Sequence, residues 1–219
     1  MTTVKQFAFN PFQVNTYILS DSTGECAIID PGMNDPLEEE EFSSYIKAQG
    51  LKPVLLLNTH THIDHIAGND YVQKTYHLPL HAHIESEVFL REAMTHATIF
   101  GINLKQVTPI KHFLTEGGQI AFGETVLQVL YTPGHAAGSV CFYVPESNFV
   151  ISGDVLFYQS IGRTDLATGD YDLLQESIWK KLFTLPDSTL VYPGHGRHTT
   201  IGAEKSDNPF VAIGRDELY

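Results

Sequence analysis

Cysteine is nearly absent from this chain, with only Cys26 and Cys141 among 219 residues. Each lies inside an apolar, strand-like run, CAIID or SVCFYV. Two buried free thiols are therefore expected rather than a disulfide framework. Basic side chains are also scarce: 13 Lys and Arg stand against 26 Asp and Glu, a formal charge of −13. A surface of that sign repels phosphate backbones, so no nucleic-acid partner is expected. No apolar run is long enough to span a bilayer, and the opening MTTVKQFAFNPF has no cationic stretch leading into an apolar segment of signal length. The expectation is a soluble, cytoplasmic protein with no membrane partner. With no linker, low-complexity segment or repeat, the length suits a single domain over 1–219.

Histidine is what the chain has in excess. There are 11, and five of them stand in short motifs with Gly or Asp. The surrounding pattern is of strands and helices in alternating groups. VKQFAF, NTYILS and ECAIID read as strands separated by turn residues. Asp35 and Pro36, then an acidic turn and Phe42, Tyr45 and Ile46 at helical spacing, predict an N-capped amphipathic helix ending at Gly50. PVLLLN is apolar on both faces, as in a strand buried between layers. Helices are expected over 69–77 and 84–97, with PLHAH as a strand between them and irregular chain over 101–111. Strand character returns with QIAFG, TVLQVLYT, SVCFYV and FVISG, followed by a helical stretch over 171–185 and a last strand, TLVY. The order fits an α+β fold, two sheets face to face with helices outside.

The densest chemistry follows PVLLLN directly, in the run Asn58-Thr59-His60-Thr61-His62-Ile63-Asp64-His65. His60 and His62 alternate, so both can point one way from extended chain, while Asp64 and His65 can face a second point after a turn. A polar surface loop with chance histidines is the plainer reading, but a buried strand delivers this cluster to a sheet edge, where pocket residues gather. Two identical turns, Thr132-Pro133-Gly134-His135 and Tyr192-Pro193-Gly194-His195, each end an apolar strand and hold the next side chain rigidly. Ile151-Ser152-Gly153-Asp154 ends another strand with an acid. Alone, Asp154 would be an ordinary turn or cap residue.

In this order, HxHxDH, a PGH turn, a GD after a strand and a terminal PGH resemble the metallo-β-lactamase superfamily over most of the chain. The resemblance implies an αββα four-layer sandwich with two adjacent metal ions at one sheet edge. It implies His60, His62 and His135 on one ion, Asp64, His65 and His195 on the other, and Asp154 bridging them, with Asp64 and Asp154 also serving catalysis. Imidazole and carboxylate donors suit divalent transition metals, Zn²⁺ first and Fe²⁺ or Mn²⁺ next, whereas Ca²⁺ or Mg²⁺ calls for oxygen-rich shells. Two such ions activate a shared water and polarise the carbonyl that it attacks. Asp rather than Cys at position 154, with no signal segment, argues against an antibiotic-degrading role.

Within the superfamily, the blocks TPGHAAGS, GDVLFYQSIGRTD and YPGHG look like hydroxyacylglutathione hydrolases (glyoxalase II) of the short bacterial type. That likeness implies a small-molecule thioester substrate and places Arg163 where the longer enzymes hold a glutathione carboxylate. A salt bridge to Asp165 or another acid is the equal alternative for Arg163. The short stretch after His195 has no room for the helical domain that completes the glutathione site in those longer enzymes. His77, His81, His83, His96, His112 and His198 fill no ligand position and are expected to be structural or solvated. Residues 85–111 suit a flap, a contact between two copies in a homo-oligomer, or ordinary core. The competing activity is that of the persulfide dioxygenases, which use a mononuclear iron and share GRTD; a non-catalytic metal or redox module is the third class. The terminal YPGHG favours hydrolysis, because the dioxygenases typically carry Ala in place of Gly194 and an acid in place of Gly196.

Overall fold

The computed structural model describes residues 1–212. The first half runs β1 (Thr3–Phe9), β2 (Val14–Ser20), β3 (Glu25–Ile29), α1 (Pro36–Ala48), β4 (Lys52–Leu57), α2 (Asn69–Tyr76), β5 (Leu80–His83), α3 (Glu87–Phe100) and β6 (Ile110–Leu114). The second half runs β7 (Gln119–Phe122), β8 (Thr125–Tyr131), β9 (Val140–Val144), β10 (Phe149–Gly153), β11 (Leu156–Phe157), β12 (Ser160–Ile161), α4 (Tyr171–Ser177), β13 (Leu190–Pro193), β14 (Thr199–Thr200) and α5 (Ile201–Asp207). Strands β1 to β6 form one sheet in sequence order, and a second has the order β14-β13-β10-β9-β8-β7. The domain expected over 1–219 runs seven residues further, and those lie outside the described residues.

Strand alternation explains the layering. In β3, Ala27 and Ile29 face the apolar layer between the sheets, while Cys26 and Ile28 face the layer under the helices. Tyr17, Leu57, Val129, Phe142 and Ile151 complete the central layer. Phe42 and Ile46 of α1 and Val72 of α2 cover the first sheet on its outer side. Leu174, Ile178, Leu182 and Ile201 cover the second sheet. This is the four-layer α+β sandwich expected. Both cysteines are free and buried, and burial pushes each thiol up to about 12. The Asp35 cap is present, its side chain accepting from the backbone N–H groups of Leu37 and Glu38, an arrangement worth about 1 kcal/mol.

Three regions depart from the sequence pattern. Residues 110 and 111, expected in irregular chain, begin β6, whose residues stay largely exposed and which exists through parallel pairing with β5. The tail contains β14 and α5, the latter only seven residues long and capped by the Thr200 hydroxyl accepting from Ala203 N–H. The segment after Asp154 folds into the β11–β12 hairpin. None of the three has the length or periodicity that marks an element without its tertiary partners. Residues 85–111 are core on one side: Leu90, Ala93 and Ala97 of α3 pack on Ile63, Ile66 and Ala67 of the histidine-rich loop. The other side exposes Val88, Met94, Ile99 and Phe100.

Candidate metal centre

Strands β3, β4, β8, β10 and β13 all end at the same edge of the sandwich. Their pairing makes this so: β3 and β4 are parallel, as are β10 and β13, and β8 is two antiparallel steps from β10. The His60–His65 run therefore leaves β4 beside His135 after β8, Asp154 after β10 and His195 after β13. All seven residues singled out by sequence converge there. Three overlapping groups have ligand atoms within 4.8 Å of one another: His60, His62 and His135; His60, His65 and Asp154; and Asp64, His65 and His195. Asp154 lies between the outer groups, with Oδ2 3.7 Å from His135 Nε2 and 3.6 Å from His195 Nε2, and Oδ1 3.4 Å from His65 Nε2.

Hydrogen bonds behind the rings determine which nitrogen faces inward. His135 Nδ1 donates to the Arg163 carbonyl at 2.8 Å, and His195 Nδ1 to the Phe12 carbonyl at 3.0 Å. His65 Nδ1 donates to Asp30 Oδ2 at 3.0 Å. The Thr59 hydroxyl donates to the same Asp30 oxygen at 2.6 Å, leaving its lone pair to accept from His60 Nδ1. Each of these four rings thus has Nδ1 engaged from behind and turns Nε2 toward the opening, an arrangement typical of metal-ligating histidines. His62 supplies Nδ1, 3.1 Å from His60 Nε2 and 3.0 Å from His135 Nε2.

That donor set fits cations. Three imidazole nitrogens meeting at hydrogen-bond distance share at most one useful proton, so two lone pairs there face only each other. His65 Nε2 and Asp154 Oδ1 are buried with no hydrogen-bond partner, a costly state that a bound cation removes. His195 Nε2 stands 3.1 Å from Asp64 Oδ2, a contact that needs either a proton or a metal ion between nitrogen and carboxylate. The electrostatics divide the opening. Burial and neighbouring rings push His62 down to about 3, and burial foremost lowers His60 and His135, so all three are neutral. Burial also opposes charge on His65, but Asp64, Asp154 and Asp30 override it and push its pKa well above the ordinary range. For Asp154, burial favours the neutral acid, yet His65, His195 and His135 hold it ionised.

Asp30 stands directly behind this cluster, and the sequence reading passed over it. Besides His65 and Thr59 Oγ1 it accepts from Thr59 N–H at 2.8 Å and from Asn58 Nδ2 at 3.1 Å, and it is buried. The available signal was an acid ending the apolar run ECAIID, as Asp154 ends its own strand. Arg163 contributes its backbone carbonyl to His135, while its exposed guanidinium makes a bidentate pair with Asp165, both contacts 2.7 Å. Gly194 has a steric reason: a Cβ there would lie 2.1 Å from Asp154 Oδ1 and 2.8 Å from His65 Cε1. Asn15 and Tyr17 of β2 hold this turn through hydrogen bonds to the Pro193 carbonyl. Of the histidines without a ligand position, His81 stacks on His112 and His83 on Tyr131.

Residues 9–195 match the family model of the metallo-β-lactamase superfamily. The chain belongs to that superfamily. Among curated relatives, it is 39% identical over 209 residues to a probable metallo-hydrolase, YqgX, of Bacillus subtilis, covering 94% of this chain and 96% of the relative. It is 36% identical over 202 residues to the hydroxyacylglutathione hydrolase GloC of Haemophilus influenzae, covering 91% and 93%. Two solved structures are also similar. One, described as BLEG-1 B3 metallo-beta-lactamase, has a TM-score of 0.88 and 38% identity, covering 96% of this chain and all of that one. The other, TTHA1623 in a di-iron-bound form, has a TM-score of 0.84 and 36% identity, covering 94% and 100%. Among the described residues, no helix is long and apolar enough to cross a membrane.

Proposed function

We propose that this metallo-hydrolase is binuclear and cleaves a thioester such as S-lactoylglutathione. The observation that carries the two-metal part is the pair of three-donor groups joined by Asp154, with His65 Nε2 and Asp154 Oδ1 left without other partners. His60, His62 and His135 would hold one ion and Asp64, His65 and His195 the other, with Asp154 placed between the two groups. The likeness to a di-iron-bound structure supports this occupancy, and the donor types suit zinc, iron or manganese. Two such ions supply the activation of a water near neutral pH and the polarisation of an acyl carbonyl. The chain supplies position. Backbone and side-chain acceptors lock the inward nitrogens, and Asp64 and Asp154, both ionised, orient the attacking water. Hydrolysis then adds that water to the carbonyl, breaks the carbon–sulfur bond, and releases an acid and a thiol.

The thioester is supported by the likeness to GloC across nearly its whole length. β-Lactams are the second acyl class, because a protein described as a β-lactamase is equally similar. Asp154 in place of Cys therefore does not by itself exclude them. The test is turnover of S-lactoylglutathione, a β-lactam and glutathione persulfide on one metal-analysed preparation, with the thioester assay run anaerobically. Thioester cleavage without oxygen, by protein holding two ions per chain, is the expected result. Rapid oxygen uptake on persulfide with negligible thioester cleavage, or a faster β-lactam reaction, would replace this reading.

A further inference from the structure

The β11–β12 hairpin places a second arginine beside the opening. Phe157, at the end of β11, has its ring 6.4 Å from that of His195. The next residue, Tyr158, is at the hairpin tip, and the Arg197 guanidinium lies over its ring at 3.5 Å. Arg197 is two residues beyond His195 and is exposed. Among the described residues it has no acidic partner within 4.0 Å, in a chain with twice as many acids as bases. Arg163, on the other side of the hairpin, has its charge offset by the bidentate Asp165.

The tip is held firmly for an exposed turn. Gln159 adopts φ 52, a left-handed conformation that non-glycine residues seldom take. Its backbone N–H donates to the buried Glu204 carboxylate at 2.9 Å. Glu204 also accepts from Asn208 Nδ2 at 2.8 Å and Thr199 Oγ1 at 2.5 Å, and Asn208 Nδ2 donates to the Ser160 carbonyl at 3.0 Å. A helix is thus fastened to the hairpin by a carboxylate that the metal centre does not use. Resting on Tyr158, with no acidic partner within 4.0 Å among the described residues, the guanidinium keeps N–H groups available for bidentate binding of a carboxylate.

We infer that Arg197, presented on Tyr158, determines specificity by binding a free carboxylate on the thiol carrier of the substrate. This deepens the proposed thioester hydrolysis and rests on it. Arg163 stays with Asp165 and serves His135 through its carbonyl. The test uses full-length, metal-loaded protein titrated with S-hexylglutathione and with its diester, in which both carboxylates are capped. The parent should bind the acid form about tenfold or more tightly than the diester, a charge-assisted contact that the cap removes. Arg197→Gln should abolish that preference, whereas Arg163→Gln should retain most of it. Equal binding of the two probes by the parent, no measurable binding of the acid form, or an undiminished preference in Arg197→Gln would each overturn the assignment. Turnover of S-lactoylglutathione on the same preparations separates the two readings. Acid preference without turnover removes the proposed reaction and leaves Arg197 as a carboxylate-binding residue. Turnover without acid preference removes Arg197 alone. Where both hold, Arg197→Gln should raise KM about tenfold with kcat nearly unchanged, the mark of lost uniform binding.

Discussion

The floor of the opening and its rim are built on opposite terms. On the floor, His60, His65 and His135 are buried, and each of these three rings is held from behind, by Thr59, Asp30 and a backbone carbonyl in turn. At the rim, Arg197, Tyr158, Phe12 and Phe100 are exposed and make few contacts: a cation over a ring in one case, an edge-on aromatic pair 6.1 Å apart in the other. Over-determined geometry suits chemistry that needs fixed charges, whereas a sparsely held rim can differ between relatives at little cost to the fold. On the proposed function, the floor carries the hydrolysis and the rim selects the substrate.

If that division holds, substitutions on the floor act on turnover and metal content together. Asp154→Ala should have the largest effect, lowering turnover by more than about 100-fold while the protein remains folded, because it removes the one carboxylate that reaches both donor groups. Unchanged turnover at saturating metal would exclude the bridging role. Gly194→Ala comes next. Its added methyl would press on Asp154 Oδ1 and His65, a strain of about 1–3 kcal/mol, and displace the shared carboxylate. Metal content should drop below two ions per chain, and elemental analysis showing two would mean the turn shifts without moving Asp154. Asp30→Asn keeps the shape but turns an N–H₂ toward either the His65 Nδ1 proton or the Thr59 donors. Metal affinity should fall about 10–100-fold, the usual cost of losing such support. Titration with a competing chelator reads this directly, and an unchanged affinity would make Asp30 a fold residue only.

The same contrast explains what the sequence disclosed. His60, His62, His135 and His195 were legible because each follows an apolar strand in a short motif, so strand order alone brings them to one edge. Asp30 follows such a strand too, but a single acid after an apolar run is also an ordinary turn residue, and only the fold shows it behind His65. The αββα layering was legible from runs such as ECAIID and PVLLLN, apolar on both faces. β6, β14 and α5 were not, because IKHFL is largely exposed and the tail elements are two and seven residues long. Arg197 gave no local sign: its place over Tyr158 depends on a hairpin 39 residues earlier, held by Glu204. Arg163 drew notice through its motif, and the structure engages its guanidinium with Asp165.

The smallest predicted effect lies at the far end of the sandwich and tests whether the opening is insulated from the rest of the fold. Asp21, in the turn between β2 and β3, accepts from Thr23 N–H at 3.0 Å and its hydroxyl at 2.5 Å. It also accepts from Glu124 N–H at 2.7 Å, in the β7–β8 turn of the other sheet, and from the hydroxyl of Thr125, which opens β8, at 3.0 Å. Partial burial favours the neutral acid, but these four donors outweigh it and hold Asp21 at about 2, below its ordinary 3.8. A depressed folded-state value means that the ionised carboxylate stabilises the fold. That contribution is complete above the unfolded pKa and is lost as pH falls through the folded one. Asp21→Ala should therefore cost about 1–2 kcal/mol at pH 7, the scale of a few partly exposed hydrogen bonds to a charged group. The cost should be unchanged at pH 5 and visibly smaller by pH 3, inside the window between 3.8 and about 2. Urea unfolding of both proteins at the three pH values reads the difference, and turnover at pH 7 should stay within about twofold, since additivity holds for distant sites. A stability gap of the same size at pH 3 would show that Asp21 acts by packing rather than by charge. A large loss of turnover would show that the two ends of the sandwich are coupled.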